Sequence, residues 1–399
     1  MTLRPARFLA SPVLIPFALT AATLAGTGPA AADPVAGPDY VPTGYQLAWA
    51  DEFSGTSVDS SRWSFRTDTK SLSVQRPENV TVGDGIMTIH LCPKGRFGRN
   101  CALSGDTGDF YTGGGLISKR NFRYGYYETR AKTNVGSGWH SAFWAAGSAD
   151  GPRTEIDGFE VDSHAPTMIR HNVIPWTQGY LSEGPYEVGF DTSAAFHTYG
   201  FEWREDSVTF YVDGQYAWHT DYSPDTYMHN FLNVWLTAIA LKINDQDLVD
   251  TSALPGKVQF EYFRFYERDA YADNDAPAGY TEIGTGWLTS SLRGFAGMTA
   301  RYSCDSGTAG RWTLNPPATG SYAASFYRVG GTGGQADALV TVWDGSTALA
   351  RMRVDLTVSG SEWVPLRNLS LVGGRTYIVR IDKDGPGCIR ADAIKFVRL

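Results

Sequence analysis

Residues 155–160 read Glu-Ile-Asp-Gly-Phe-Glu, three carboxylates inside what is otherwise an apolar strand. Ile156, Phe159 and Val161 mark one face as turned toward a core, which argues against a solvated acidic edge. Alternate side chains of a strand share a face, so Glu155 and Asp157 point the same way. Glu160 falls an odd number of positions further on and is out of phase. One inserted residue restores the phase, and Gly158 suits the bulge that inserts it. The stretch thus predicts a sheet with one packed and one open face, with all three acids on the open one.

Cleaving a glycosidic bond with retention needs a carboxylate nucleophile and a protonated carboxyl about 5–5.5 Å away. A third acid between them holds the nucleophile by hydrogen bond and raises its neighbour's pKa by like-charge repulsion. On that argument Glu160 is expected to titrate well above a free Glu.

Other segments accompany the motif in a set order: Asp51-Glu52-Phe53, then Gly114 to Lys119, Tyr124 to Lys132, Phe196 to Trp203, Phe210 to Gly214 and Phe260 to Tyr266. From about Leu47 to Glu267 the chain resembles glycoside hydrolase family 16, the laminarinase, lichenase, agarase and carrageenase group. The resemblance implies an all-β, concanavalin-like jelly-roll sandwich whose concave sheet forms an open cleft for a polysaccharide. It also implies that Glu155 is the nucleophile, Glu160 the general acid/base and Asp157 the carboxylate between them. The bulged, six-residue form of the motif belongs to one branch of that family.

Gly138 to Trp144 resembles the family's Gly-x-Trp-Pro-Ala-Phe-Trp segment, but lacks the Pro and is one residue longer. Trp139 and Trp144 are therefore candidate substrate contacts, with Trp144 the better stacking platform. His171 lies on the strand expected after the motif, where the family often places a sugar-contacting His. Trp176 and Trp235 are further expected walls of the cleft. Many relatives hold a structural Ca²⁺ through an acidic residue of the closing strand, and that position is Glu261 here rather than Asp.

The N-terminus reads as a secretory leader over residues 1–32, with Arg4 and Arg7, an apolar run from Phe8 to Leu24, and Ala30-Ala31-Ala32 as the cleavage site. Export to the extracellular space permits disulfides, and of the three pairings open to four Cys the favoured one is Cys92–Cys101 and Cys304–Cys388, one within each domain. Residues 33–267 form the expected catalytic domain and residues 268–279, rich in Asp with a Pro, read as a linker. Residues 280–399 resemble a golvesin or xanthan-lyase C-terminal β-sandwich, in which Trp287, Trp312, Trp343 and Trp363 are available either to stack on sugars or to fill a core.

A net charge of −8 with no basic run excludes a nucleic-acid partner, and no Cys/His cluster has metal-ligand spacing. No apolar run beyond the leader is long enough to span a bilayer. The expected molecule is a secreted monomer without a required cofactor, its partner a polysaccharide. Its expected activity is that of a retaining endo-β-1,3-glucanase, with a β-galactan hydrolase as runner-up. A lectin on the same sandwich is the reading from another class. Loss of a catalytic carboxylate would favour the lectin, and none is lost.

Overall fold

The computed structural model describes residues 40–147, 154–176, 181–224, 232–276, 278–295 and 298–399. The leader expected over residues 1–32 lies outside them. No α-helix occurs among the described residues; strands connected by turns and a few 3-10 turns make up the molecule. Among the described residues no helix is long and apolar enough to cross a membrane.

The first sandwich has a nine-stranded sheet running Leu181–Glu187, Met168–Pro175, Thr154–Asp162, Trp139–Gly147, Leu232–Ala240, Tyr111–Phe122, Ser73–Gln75, Thr69–Lys70, with Trp63–Phe65 beside Tyr111–Phe122. An eight-stranded sheet centred on Gly125–Lys132 and Gly256–Glu267 backs it. Their shared core is aromatic. Phe143 and Phe159 from the first sheet meet Tyr127, Tyr199, Phe201 and Phe263 from the second, all fully buried. Each such burial contributes about 1.5–3 kcal/mol, so this layer holds the sheets together and fixes the open face above it.

The strand phase behaves as period two dictates. On Thr154–Asp162, Ile156, Phe159 and Val161 enter the core. Opposite that strand, Phe143 pairs with Phe159 and Trp144 with Asp157, so Gly158 is the extra residue of a bulge. The pairing with Met168–Pro175 shifts at the same place, between Asp157 and Glu160.

A four-stranded and a five-stranded sheet, sharing a core around Trp312, Phe326, Val340 and Ile394, form the second sandwich. The stretch that reads as a linker is not one. Ala270–Asp273 is a strand paired with Ala393–Arg398 of the second sandwich, a long-range partner that local composition cannot reveal. Trp312 is buried in that core, while Trp287 and Trp343 are half-buried.

Trp363 faces the first sandwich. The turn after His197–Trp203 extends Glu205 into the second sandwich, where its carboxylate accepts from Trp363 Nε1 at 2.6 Å, Lys395 Nζ at 2.6 Å and Tyr271 Oη at 3.1 Å. Beside this plug, Tyr124 lies edge-on to Trp203 and to Tyr271, each 5.2 Å between ring centroids. The Arg123 guanidinium covers Tyr124 at 4.2 Å, Tyr271 at 5.2 Å and Phe295 at 5.5 Å. Disulfides join Cys92 to Cys101 and Cys304 to Cys388, one within each sandwich.

Candidate active site

The open face of the nine-stranded sheet carries a cleft of about 480 Å³ lined by Glu155, Glu160, His140, Trp144, Trp176 and Trp235 among others. A larger cavity of about 610 Å³ lies at the junction of the sandwiches, beside Glu205 and Tyr271, and holds none of the three acids. The smaller cleft is therefore the candidate site.

Gly158 is what makes the trio possible. A Cβ there would stand 2.7 Å from Phe143 Cδ1 and 2.9 Å from Phe201 Cδ1, so only glycine lets the bulge settle on the core. Beneath it His171 Nδ1 donates to the Gly158 carbonyl at 2.8 Å, and the His171 ring stacks on Phe210. His171 is fully buried, and burial outweighs that hydrogen bond to hold its imidazole down to about 4. It is a neutral prop under the bulge and not a sugar contact. Its phase is that of Ile169 and Val173, which both enter the core.

Asn172, one residue on, takes the open face. Its Nδ2 donates to Asp157 Oδ2 at 2.9 Å and to Glu160 Oε2 at 2.7 Å, binding two of the three acids through one amide. Glu155 accepts from Trp176 Nε1 at 3.3 Å, and Trp176 is 52% exposed, which places it at the rim. Trp144 stacks on Trp235 from the neighbouring strand, centroids 4.6 Å apart, and donates to Thr237 Oγ1 at 3.1 Å. Ala142 and Ala146 flank Trp144 on the same floor and keep it open. Trp139 does not reach the cleft. It is 2% exposed and lies edge-on to Tyr111, because it shares the inward phase of Phe143 and Ala145.

Asp157 is buried, and desolvation, reinforced by the charges of Glu160 and Glu155, raises its carboxyl well above the usual carboxylate range. The shift favours the protonated carboxyl, the form that can donate a hydrogen bond to a neighbouring carboxylate. Glu160 behaves otherwise than like-charge repulsion alone predicts. Burial pushes it up, but hydrogen bonding and charge from His140, with Arg170 and Asn172, outweigh burial and hold it below the usual range.

His140 lies between two carboxylates, with Nε2 3.1 Å from Glu160 Oε1 and Nδ1 2.8 Å from Asp162 Oδ1. Burial opposes its charge, yet the bonds to Asp162 and Glu160 prevail and raise it to about 9. Arg170 bonds Asp162 from the far side and reaches Glu160 at 3.9 Å. In the resting site Glu160 is a carboxylate and His140 an imidazolium. His140, Asp162, Arg170 and Asn172 were not among the residues expected from sequence, although counting in twos from Trp144 and Glu160 reaches the first two.

On the eight-stranded sheet, Glu261 Oε2 accepts from Arg130 Nη1 at 2.5 Å. A guanidinium thus fills the place where a cation would sit, and the residues present do not fit a Ca²⁺ held through Glu261. No group of three His, Cys, Asp or Glu among the described residues is arranged to hold a metal ion.

Residues 57–263, just over half of the chain, match the model of glycosyl hydrolases family 16. The chain belongs to glycosyl hydrolase family 16. Residues 270–398 of this family 16 protein match the Golvesin C-terminal domain, which begins at the strand Ala270–Asp273. A beta-glucanase of Acetivibrio thermocellus is 30% identical over 231 residues, covering 56% of this chain and 64% of that protein. A glucan endo-1,3-beta-glucosidase of Cryptopygus antarcticus is 28% identical over 193 residues, covering 44% and 68% respectively. A kappa-carrageenase of Pseudoalteromonas carrageenovora is 28% identical over 224 residues, covering 48% and 54%. The match to the beta-glucanase thus spans less than two thirds of that relative's length.

Proposed function

We propose that this protein is a retaining endo-glycosidase that hydrolyses a β-1,3-linked glucan by double displacement. The bulge at Gly158, which sets Glu155 and Glu160 on the cleft floor with Asp157 buried between them, carries the reading. Glu155 attacks the anomeric carbon while Glu160 protonates the departing oxygen; Glu160 then takes a proton from the water that releases the sugar. Asp157, between them on the strand, serves to hydrogen-bond the nucleophile, a role that its raised carboxyl pKa suits. Trp144 and Trp235 offer a stacked aromatic floor for a pyranose ring. The glucan-cleaving relatives favour glucan as substrate. Two disulfides fit export to an oxidising compartment, which belongs to the same proposal.

A β-linked galactan is the second reading, favoured by the kappa-carrageenase relative. Purified protein incubated with laminarin, lichenan, agarose, carrageenan and β-1,3-galactan decides between them. Proton NMR of the first product formed tests the mechanism. The β-anomer is expected, and an α-anomer formed first overturns the double displacement.

A further inference from the structure

Resting on that reading, the geometry points to His140 as a positioning residue that stores the acid proton: Asp162, His140 and Glu160 form a relay that delivers it to the leaving oxygen. His140 Nδ1 hydrogen-bonds Asp162 Oδ1 at 2.8 Å, and on the other side of the ring Nε2 forms an ion pair with Glu160 Oε1 at 3.1 Å. The ring is nearly shut off from solvent, its side chain 14% exposed, so its proton has two carboxylate acceptors and little water. A general acid that rests ionised cannot act unless a proton is available to it, and here the His140 Nε2 proton lies across a 3.1 Å ion pair from Glu160 Oε1.

The titratable and charged groups around His140 come from several strands, and Asp157, on the strand beside it, also feels its charge. Glu160 and Asp162 come from its neighbouring strand, and Arg170 from the strand beyond, pairing with Asp162. The residue opposite His140 on Leu232–Ala240 is Ile239, which carries no charge. Arg66, Asp68 and Lys70 line the cleft with His140, and His164 and Lys242 share a separate cavity with Asp162. The two carboxylates in direct contact thus decide the state of the ring.

The proton balance closes over one turnover. In the first step the proton on His140 Nε2 passes to Glu160 Oε1, leaving a neutral imidazole. Glu160 gives that proton to the glycosidic oxygen as the C–O bond breaks and Glu155 forms its bond to the anomeric carbon. In the second step water attacks that carbon, the bond to Glu155 breaks, and the proton lost by the water goes to Glu160. Glu160 returns it to His140, restoring imidazolium and carboxylate. Asp162 keeps its charge throughout and holds Nδ1–H, the tautomer that leaves Nε2 free to exchange.

The test compares wild type, His140→Gln and Asp162→Asn on the polysaccharide that the wild type cleaves and on its 2,4-dinitrophenyl disaccharide, whose leaving group needs no proton. His140→Gln should lose about 10²-fold in kcat on the polysaccharide but only about threefold on the activated glycoside, the signature of acid catalysis. Its alkaline limb should move acidward by about one unit or more, since the store with the high pKa is gone, and Asp162→Asn should move it the same way by less. By NMR, the His140 ring should titrate near 9 in wild type and lower in Glu160→Gln, a readout independent of turnover. Equal losses on both substrates with an unmoved alkaline limb, or a His140 titration indifferent to Glu160→Gln, overturn the relay. Failure of the glycosidase reading looks different: the wild type itself would cleave no polysaccharide of the panel.

Discussion

Replacing Gly158 by Ala adds a single methyl group beneath the trio, and its cost can be worked from the packing. The new carbon would stand 2.7 and 2.8 Å from two atoms of the Phe143 ring and 2.9 Å from Phe201, against an ordinary contact of 3.4–4 Å. Both rings are fully buried, with centroids 5.5 Å apart, so neither yields without disturbing the aromatic layer. Overpacking of this kind costs about 1–3 kcal/mol. For a sandwich of this size that is a fall in melting temperature of roughly 2–12 °C. The alternative to compression is for the bulge to lift, which displaces Glu160 from Asn172 and His140; a shift of about 1 Å costs on the order of 10²-fold in rate. Circular-dichroism melts and polysaccharide turnover of Gly158→Ala measure the two effects. A variant melting within about 1 °C of wild type and keeping more than about half of its turnover would refute the view that the bulge is held by close packing on Phe143 and Phe201.

Asn172→Ala removes the amide shared by Asp157 and Glu160; kcat on polysaccharide should fall about 10- to 100-fold with KM little changed, as steady-state kinetics would show. Burial raises Asp273 from 3.8 to about 7, so the folded state binds a proton there that the unfolded chain releases at lower pH. Its contribution to stability therefore declines as pH rises from about 4 to about 7, and Asp273→Asn should melt above wild type at pH 8 but level with it near pH 4. Glu205→Ala leaves Lys395, Trp363 and Tyr271 without their acceptor and should cost about 1–3 kcal/mol, seen as a lower melting temperature and faster proteolysis between the sandwiches. Deleting residues 280–399 should do more harm than that substitution, because it also strips Tyr271 of its strand partner Lys395 and of the Phe295 cluster against which it packs with Trp363; equal melting of the first sandwich in the truncated and whole chains would count against a structural seam.

The placement of the three acids was legible because strand phase is local: two residues per repeat and one glycine suffice to put Glu155, Asp157 and Glu160 together. The same rule places His171 with Ile169 and Val173, and Trp139 with Phe143 and Ala145, yet resemblance to the family drew both toward the cleft. Phase would have selected Asn172 and His140 in their stead. What no local rule supplies is pairing at a distance. The strand Ala270–Asp273 is defined by Ala393–Arg398, and Glu205 by three donors more than sixty residues away, so a short Asp-rich stretch reads as a linker. The ionisation of Glu160 was hidden for a related reason, since its sign depends on His140 and Arg170 arriving from two other strands.

Glu205 and the ring seam around Tyr124 also bear on how a long polymer meets the enzyme. A module on a flexible tether raises the local concentration of its target and samples every orientation about the cleft. A module seated on a carboxylate plug shares one rotational frame with the cleft and contributes direction as well. Any chain gripped by the second sandwich would enter along a single heading, and the distance from grip to cut would be a constant of the fold, as on a caliper with its jaw locked.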